Sequence, residues 1–190
     1  MITNIYFVRH AEPDYSVHED SSRPLTNKGR DDALKVASYL NNKNIEIGLS
    51  SPYKRAIDTI KPFFDTNKMS IELVDDFRER KVDNCWIEDF QEFSQRQWEN
   101  FKYKLSDGEC LYEVQQRNIK ALEAVLKRYS GKKIVVGTHG TALSTIINYY
   151  DPSYGYKDFN EIRSLMPWIV KFTFDEMRCI KIEKIDIQGH

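Results

Sequence analysis

The chain has 190 residues, of which 41% are hydrophobic and 30% are charged, so we expect one globular domain with a sizeable core. A formal net charge of −1 gives no overall attraction to nucleic acid or anionic lipid, so any anion binding has to be local. The three cysteines are widely spaced, and no segment is typical of a secretory signal or a membrane span. We therefore predict a cytoplasmic protein without nucleic-acid or membrane partners.

The first predicted strand covers residues 5–8 and leads directly into Arg9, His10 and Glu12. A polar loop follows from Pro13 to Pro24. After this loop the apolar spacing of residues 33–40 predicts an amphipathic helix, with Thr26 or Asn27 as its N-cap.

Residues 45–49 predict a second strand, followed by Ser50, Ser51 and a helix that begins near Pro52 and carries Arg55 in its first turn. The helix dipole favours an anion at this end. A short strand over 71–74 precedes Glu79. The aromatic-rich segment 86–105 predicts one or two helices, within a helical cap around 86–110.

A long amphipathic helix over 111–129 leads to a strand over 133–137, which delivers Thr138, His139 and Gly140. A helix over 142–150 comes next. Residues 168–174 and 179–187 predict a closing pair of antiparallel strands. The pattern predicts a single α/β domain over 1–190 with a mostly parallel central sheet.

Two of the four histidines, His10 and His139, follow predicted parallel strands directly. Open α/β sheets bind ligands beyond the carboxyl ends of their strands, so neighbouring strands would bring both rings into one crevice. Arg9 and Arg55 add positive charge there. This combination indicates an anion ligand, most simply a phosphoryl group.

Four blocks of sequence, in this order along the chain, resemble the histidine phosphatase superfamily, which is also called phosphoglycerate-mutase-like. They are Arg9–Glu12, Leu25-Thr26 with Gly29, Leu49–Pro52 with Arg55-Ala56, and Thr138–Gly140. The resemblance covers most of the chain. It implies a three-layer α/β/α fold and a short, phosphatase-type member that hydrolyses phosphomonoesters without a metal or organic cofactor.

The chemistry of phosphoryl transfer assigns a role to each candidate. His10 is the predicted nucleophile, and Arg9, Arg55 and a protonated His139 are the predicted ligands of the phosphoryl group. A carbonyl of the Pro13–Pro24 loop is a plausible partner for the other ring nitrogen of His10. Two further residues complete the prediction: Glu79, in a block that resembles the family's acid/base glutamate, and Ser16 as a further hydrogen-bond donor to phosphate.

The chain departs from the family pattern after Glu79. Asp83 replaces an expected glycine, Trp86 is not followed by Glu-Gly, and Cys110 replaces the serine of a Gly-Glu-Ser element. We expect hydrolysis of a small phosphorylated metabolite, because the mutases of the superfamily are generally longer. A phosphoglycerate-type phosphomutase and a non-catalytic phospho-ligand-binding or regulatory protein are the alternatives, and the oligomeric state is open.

Overall fold

A computed structural model of the protein describes residues 1–84, 87 and 89–187. The strands in these ranges are β1 (Ile2–Arg9), β2 (Ile47–Ser50), β3 (Ile71–Leu73), β4 (Lys133–Thr138), β5 (Trp168–Asp175) and β6 (Arg178–Ile185). The α-helices are α1 (Asn27–Leu40), α2 (Lys54–Thr66), α3 (Phe90–Glu99), α4 (Leu111–Arg128), α5 (Gly140–Tyr150) and α6 (Tyr156–Ile162). A 3₁₀ turn spans Asp75–Phe77.

All six strands form one sheet in the order β3-β2-β4-β1-β5-β6. The first four strands of this order are parallel to each other, whereas β5 pairs antiparallel with β1, and β6 antiparallel with β5. The predicted mostly parallel sheet and its closing antiparallel pair are therefore confirmed. Because Arg9 of β1 lies opposite Thr138 of β4, the two strands end at the same level.

Successive side chains of β1 point to opposite faces of the sheet and so contribute to both layers of the core. Ile5 and Phe7 face a cluster that includes side chains of α4, α5 and α6, whereas Tyr6 and Val8 face a cluster with side chains of α1 and α2. Helices thus cover both faces of the sheet. The result is the single-domain, three-layer α/β/α architecture that the family resemblance implied.

Local signals explain where several helices begin. The hydroxyl of Thr26 accepts a hydrogen bond from Gly29 N (2.9 Å), so Thr26 is the N-cap of α1. Helix α2 starts two residues after Pro52 and has Arg55 in its first turn, as predicted. None of the helices in the described ranges is long and apolar enough to cross a membrane.

The segment predicted to be a helical cap is described in part. Helix α3 lies inside the aromatic-rich segment that predicts helix, and it ends at Glu99. Cys85, Trp86 and Glu88 lie outside the described residues. The cap over 86–110 therefore remains a prediction.

Candidate active site

The two strand-end histidines share one crevice, because β1 and β4 are neighbours. The backbone N–H of His10 donates to the carbonyl of Thr138 (3.0 Å), so the pairing of β1 with β4 continues to the residue after β1. The ring centroids of His10 and His139 lie 5.3 Å apart in an edge-on arrangement. Both side chains are buried.

One hydrogen bond fixes the tautomer of His10. Its Nδ1 lies 2.8 Å from the carbonyl oxygen of Ala11, and a carbonyl can only accept, so Nδ1 carries the hydrogen. The partner is thus the next residue rather than one in the Pro13–Pro24 loop. Burial, together with the charges of Arg55 and Arg9, holds the pKa of His10 well below its usual range. The ring is therefore neutral at neutral pH, and Nε2 keeps its lone pair.

His139 packs behind His10 as the N-cap residue of α5. Its Nε2 lies 2.7 Å from Ser51 Oγ, and its buried Nδ1 has no hydrogen-bond partner among the described residues. Burial, followed by the positive charge of Arg55, holds the pKa of His139 well below its usual range. A protonated His139 therefore requires the negative charge of a bound dianion.

Two arginines flank the histidines. The Arg55 guanidinium, only 3% exposed as a residue, forms an ion pair with Asp20 (3.1 Å) and donates to the carbonyl of the same residue. Arg9 donates to three carbonyls at the end of α6, including those of Arg163 (3.2 Å) and Leu165 (3.1 Å). Arg9 thus joins the central strand of the sheet to the last turn of α6.

The carboxylate of Glu79 lies at the amino end of α5. Oε2 accepts from Thr141 N (3.0 Å), and Oε1 accepts from Ala142 N (3.2 Å) and Arg80 N (2.7 Å). The free N–H groups and dipole of a helix start favour a carboxylate there. Since α5 begins directly after His139, this arrangement brings Glu79 to the crevice of the two histidines.

A partly buried ion pair, Arg117 with Glu109, holds the backbone around Glu79. Arg117 of α4 donates to the carbonyls of Asp76 (2.8 Å), Arg78 (2.8 Å) and Glu79 (3.2 Å) and to both oxygens of Glu109. Glu109 also accepts from the N–H of residue 81 (2.9 Å). Burial raises the pKa of Glu109, but the hydrogen bonds from Arg117 and from this N–H outweigh burial and lower it overall.

A cavity of about 720 Å³ joins these groups, a volume within the range of small-molecule sites. Arg9, His10, Arg55 and Glu79 line it together, while the fully buried His139 contacts His10 from behind. Ser16 is not among the lining residues that the structure describes. Its hydroxyl donates to Asp14 Oδ1 (2.6 Å), so its role as a phosphate ligand stays a prediction.

The sequence reasoning missed several charged residues of this cavity, namely Asp20, Arg23, Arg80, Lys81 and Arg163. Arg23 is buried and donates to the carbonyls of Val17 (2.7 Å) and His18 (3.1 Å) and to Asp20 (2.8 Å). It therefore orders the loop that forms one wall. Arg23, a charged residue directly before Pro24, was the one sign in the sequence that this loop has an ordered role. Nothing in the sequence showed that the loop folds back over the ends of the strands.

A family model for the histidine phosphatase superfamily (branch 1) matches residues 5–183. The chain belongs to this superfamily. Among curated relatives, an uncharacterised phosphatase, PhoE, of Bacillus subtilis is 24% identical over 100% of the chain and 97% of the relative. A metal-independent phosphoserine phosphatase of Arabidopsis thaliana is 26% identical over 76% of the chain and 67% of its own length.

Solved structures of the same fold cover nearly the whole chain. A phosphoserine phosphatase of Entamoeba histolytica, in a mutant form in complex with phosphoserine, matches with a TM-score of 0.78 at 19% identity over 98% of both chains. A mycobacterial glucosyl-3-phosphoglycerate phosphatase matches with a TM-score of 0.76 at 14% identity over 97% of both chains. Family membership and phosphatase relatives together identify the protein as a phosphatase, a phosphoric monoester hydrolase.

Proposed function

We propose that this phosphatase hydrolyses small phosphomonoesters, without a metal, through a phosphohistidine on His10. The observation that carries the proposal is the hydrogen bond between His10 Nδ1 and the Ala11 carbonyl, which leaves Nε2 neutral and unprotonated in the cavity wall. A positioned neutral imidazole can attack phosphorus and divide one difficult displacement into two easier ones.

In the first step, His10 Nε2 forms a bond to phosphorus while the bond from phosphorus to the ester oxygen breaks. Arg9, Arg55 and a protonated His139 stabilise the negative charge on the phosphoryl oxygens. Glu79, protonated in the complex with the dianionic ester, donates its proton to the leaving alkoxide. Arg9 and Arg55 exchange some of their present carbonyl and Asp20 contacts for phosphate oxygens, and Ser16 is a further predicted donor.

In the second step, water attacks phosphorus and the bond between nitrogen and phosphorus breaks. Glu79, now ionised, accepts a proton from the attacking water, so one carboxyl group serves both steps. Its place at the start of α5, directly after His139, supports this double role. Inorganic phosphate then leaves, and both His10 and Glu79 return to their starting states.

The substrate that we propose is a small phosphorylated metabolite that enters the 720 Å³ cavity. Relatives named for phosphoserine and for glucosyl-3-phosphoglycerate support this class, and a relative named metal-independent supports the absence of a metal requirement. We also propose that the predicted cap over 86–110 shapes the leaving-group end of the site. In support, Ile87 and Phe90 line the cavity.

The test is inorganic phosphate release from 4-nitrophenyl phosphate in excess EDTA, with wild-type protein and His10→Ala side by side. A rapid quench in alkaline detergent with a ³²P-labelled substrate follows the enzyme-bound label, which as phosphohistidine is stable to base and is released when a sample is then acidified. We expect turnover and label in the wild type and neither in folded His10→Ala. His18→Ala, which removes the other histidine that lines the cavity among the described residues, is expected to retain the label.

Wild-type-like turnover by His10→Ala would exclude the phosphohistidine on this residue. Movement of phosphate between positions of a phosphoglycerate, without net release, would select a phosphomutase instead. Tight binding of phosphate esters by a folded wild-type protein that turns none of them over would select a non-catalytic ligand-binding role.

A further inference from the structure

The hydroxyl of Ser51 is a buried group that contacts the second histidine of the site. Ser51 follows β2 directly, and its backbone N–H donates to the carbonyl of Gly137 (2.9 Å), which holds it beside β4. Its Oγ lies 2.7 Å from Nε2 of His139, and both residues are fully buried. The two proposed chemical steps do not use this hydroxyl.

The Ser51 hydroxyl has one hydrogen to donate. The backbone N–H of Tyr53 donates to Oγ (3.2 Å), so the oxygen is the acceptor in that contact. Among the described residues, the other hydrogen-bond contact of Oγ is the one with Nε2 of His139. The hydroxyl hydrogen therefore has an acceptor if Nε2 carries its lone pair.

The two tautomers of a neutral His139 leave different numbers of buried groups unpaired. With the hydrogen on Nδ1, Ser51 donates to Nε2, and the Nδ1–H alone lacks a partner within the described part of the chain. With the hydrogen on Nε2, the ring donates to Oγ, and both the hydroxyl hydrogen and the Nδ1 lone pair are left unpaired. Since each unpaired buried polar group costs free energy, the contacts favour the Nδ1–H tautomer.

Aromatic packing encloses the ring in this orientation. The Tyr53 ring lies edge-on to the His139 ring, with centroids 5.2 Å apart, and the Arg55 guanidinium lies 5.1 Å from the same Tyr53 ring. His10 contacts the His139 ring edge-on at 5.3 Å. Because Ser51 occupies Nε2, the nitrogen that His139 can offer to a ligand is Nδ1.

We propose that Ser51 is a positioning residue, which fixes the tautomer of His139 so that Nδ1–H donates to the phosphoryl group. The inference rests on the proposed function, because it places the phosphoryl group at His10. The same contact serves the ring that is protonated in the complex with a dianion, since the hydroxyl then rotates and accepts from Nε2–H. Nδ1 is the donor to the phosphoryl oxygen in both charge states.

The first measurement is a long-range ¹H–¹⁵N NMR spectrum of the ligand-free protein, labelled with ring-¹⁵N histidine, at about pH 7.5. The shifts of the two ring nitrogens show which of them carries hydrogen, and His139→Gln assigns the signals. We expect the Nδ1–H form of His139 in the wild type and a change toward the Nε2–H form in Ser51→Ala. The His10 tautomer should stay the same, because the Ala11 carbonyl fixes it.

The second measurement is kcat/KM for 4-nitrophenyl phosphate. Ser51→Ala should lower it by about 10- to 100-fold, the range expected for a lost hydrogen bond to a charged group. Ser50→Ala is the matched control, because it removes an equally buried hydroxyl that has no hydrogen-bond partner among the described residues. We expect the control to change kcat/KM by less than about 3-fold and to leave the His139 tautomer unchanged.

A ligand-free wild type with His139 in the Nε2–H or the doubly protonated form overturns the inference, and so does a wild-type tautomer or kcat/KM in Ser51→Ala. If Ser51→Ala does not fold, Ser51→Cys decides, because its thiol fills the space but is a weak donor and should change tautomer and kcat/KM in the same direction. In these outcomes, hydrolysis that is lost in His10→Ala still supports the proposed function. Absence of His10-dependent hydrolysis overturns both.

Discussion

At the scale of single residues, the proposed catalysis depends on which nitrogen of His10 carries the proton. The Ala11 carbonyl settles that point with a backbone atom, so no second side chain is needed to orient the ring. Glu79 is held in a comparable way, by backbone N–H groups of Thr141 and Ala142. The sequence pointed to both candidate residues but to neither hydrogen-bond partner, because residue identity does not show which backbone groups will lie beside a side chain.

Replacement of Glu79 by glutamine tests its proposed role as the acid. The amide keeps an acceptor for the α5 N–H groups but cannot transfer a proton. We expect turnover of an alkyl phosphate to fall by about 10²- to 10⁴-fold, and that of 4-nitrophenyl phosphate to fall far less, because nitrophenolate leaves without protonation. Steady-state kinetics on the two substrates provides the measurement.

Asp75→Asn and Asp76→Asn are the controls, because both carboxylates lie close to Glu79 in the sequence. They should leave the ratio between the two substrates unchanged. Equal losses on both substrates in Glu79→Gln would point to another acid.

At the scale of elements, apolar periodicity predicted nearly every strand and helix, and even the antiparallel pairing of β5 and β6. What it could not predict were contacts between distant segments. The ion pair between Arg117 and Glu109 holds the backbone of residues 76–81, although these groups come from different parts of the chain. A similar long-range contact, the hydrogen bond from Arg55 to the carbonyl of Asp20, holds the loop of residues 13–24 against the start of α2.

The packing of α2 on β2 offers a stability test. A Cβ on Gly48 would lie 2.3 Å from a ring carbon of the fully buried Phe64, so Gly48→Ala forces the helix and strand apart. We expect a loss of about 1–3 kcal/mol in the free energy of unfolding, measured by urea denaturation. Gly155→Ala, where a Cβ meets no atom within 4 Å, should change it by less than about 0.5 kcal/mol. Similar values for both variants would contradict the tight packing.

At the scale of the whole molecule, two buried neutral histidines link stability to pH. Their pKa values are lowered in the folded state, whereas an unfolded histidine titrates near pH 6.5. As the pH falls below that value, the unfolded chain binds protons that the folded protein does not. The contribution to stability is therefore complete above about pH 6.5 and is lost as the pH falls.

Urea unfolding at pH 7.5 and 5.5 measures this dependence. One pH unit below the unfolded pKa corresponds to about 1.4 kcal/mol per histidine, so we expect a decrease of about 2–3 kcal/mol in the free energy of unfolding. The double variant His10→Gln/His139→Gln should lose most of the decrease. A wild-type protein equally stable at both pH values would show that these rings are protonated in the folded state.

The position of β1 in the sheet has a consequence for synthesis on the ribosome. Both neighbours of this strand, β4 and β5, come from the last third of the chain, so His10 has no paired strand beside it until residues 133–175 have been made. The nascent chain must keep an apolar strand unpaired while more than a hundred residues are added. The crevice at the end of β1 therefore forms only after residue 175 has been made, when β4 and β5 pair with the first strand.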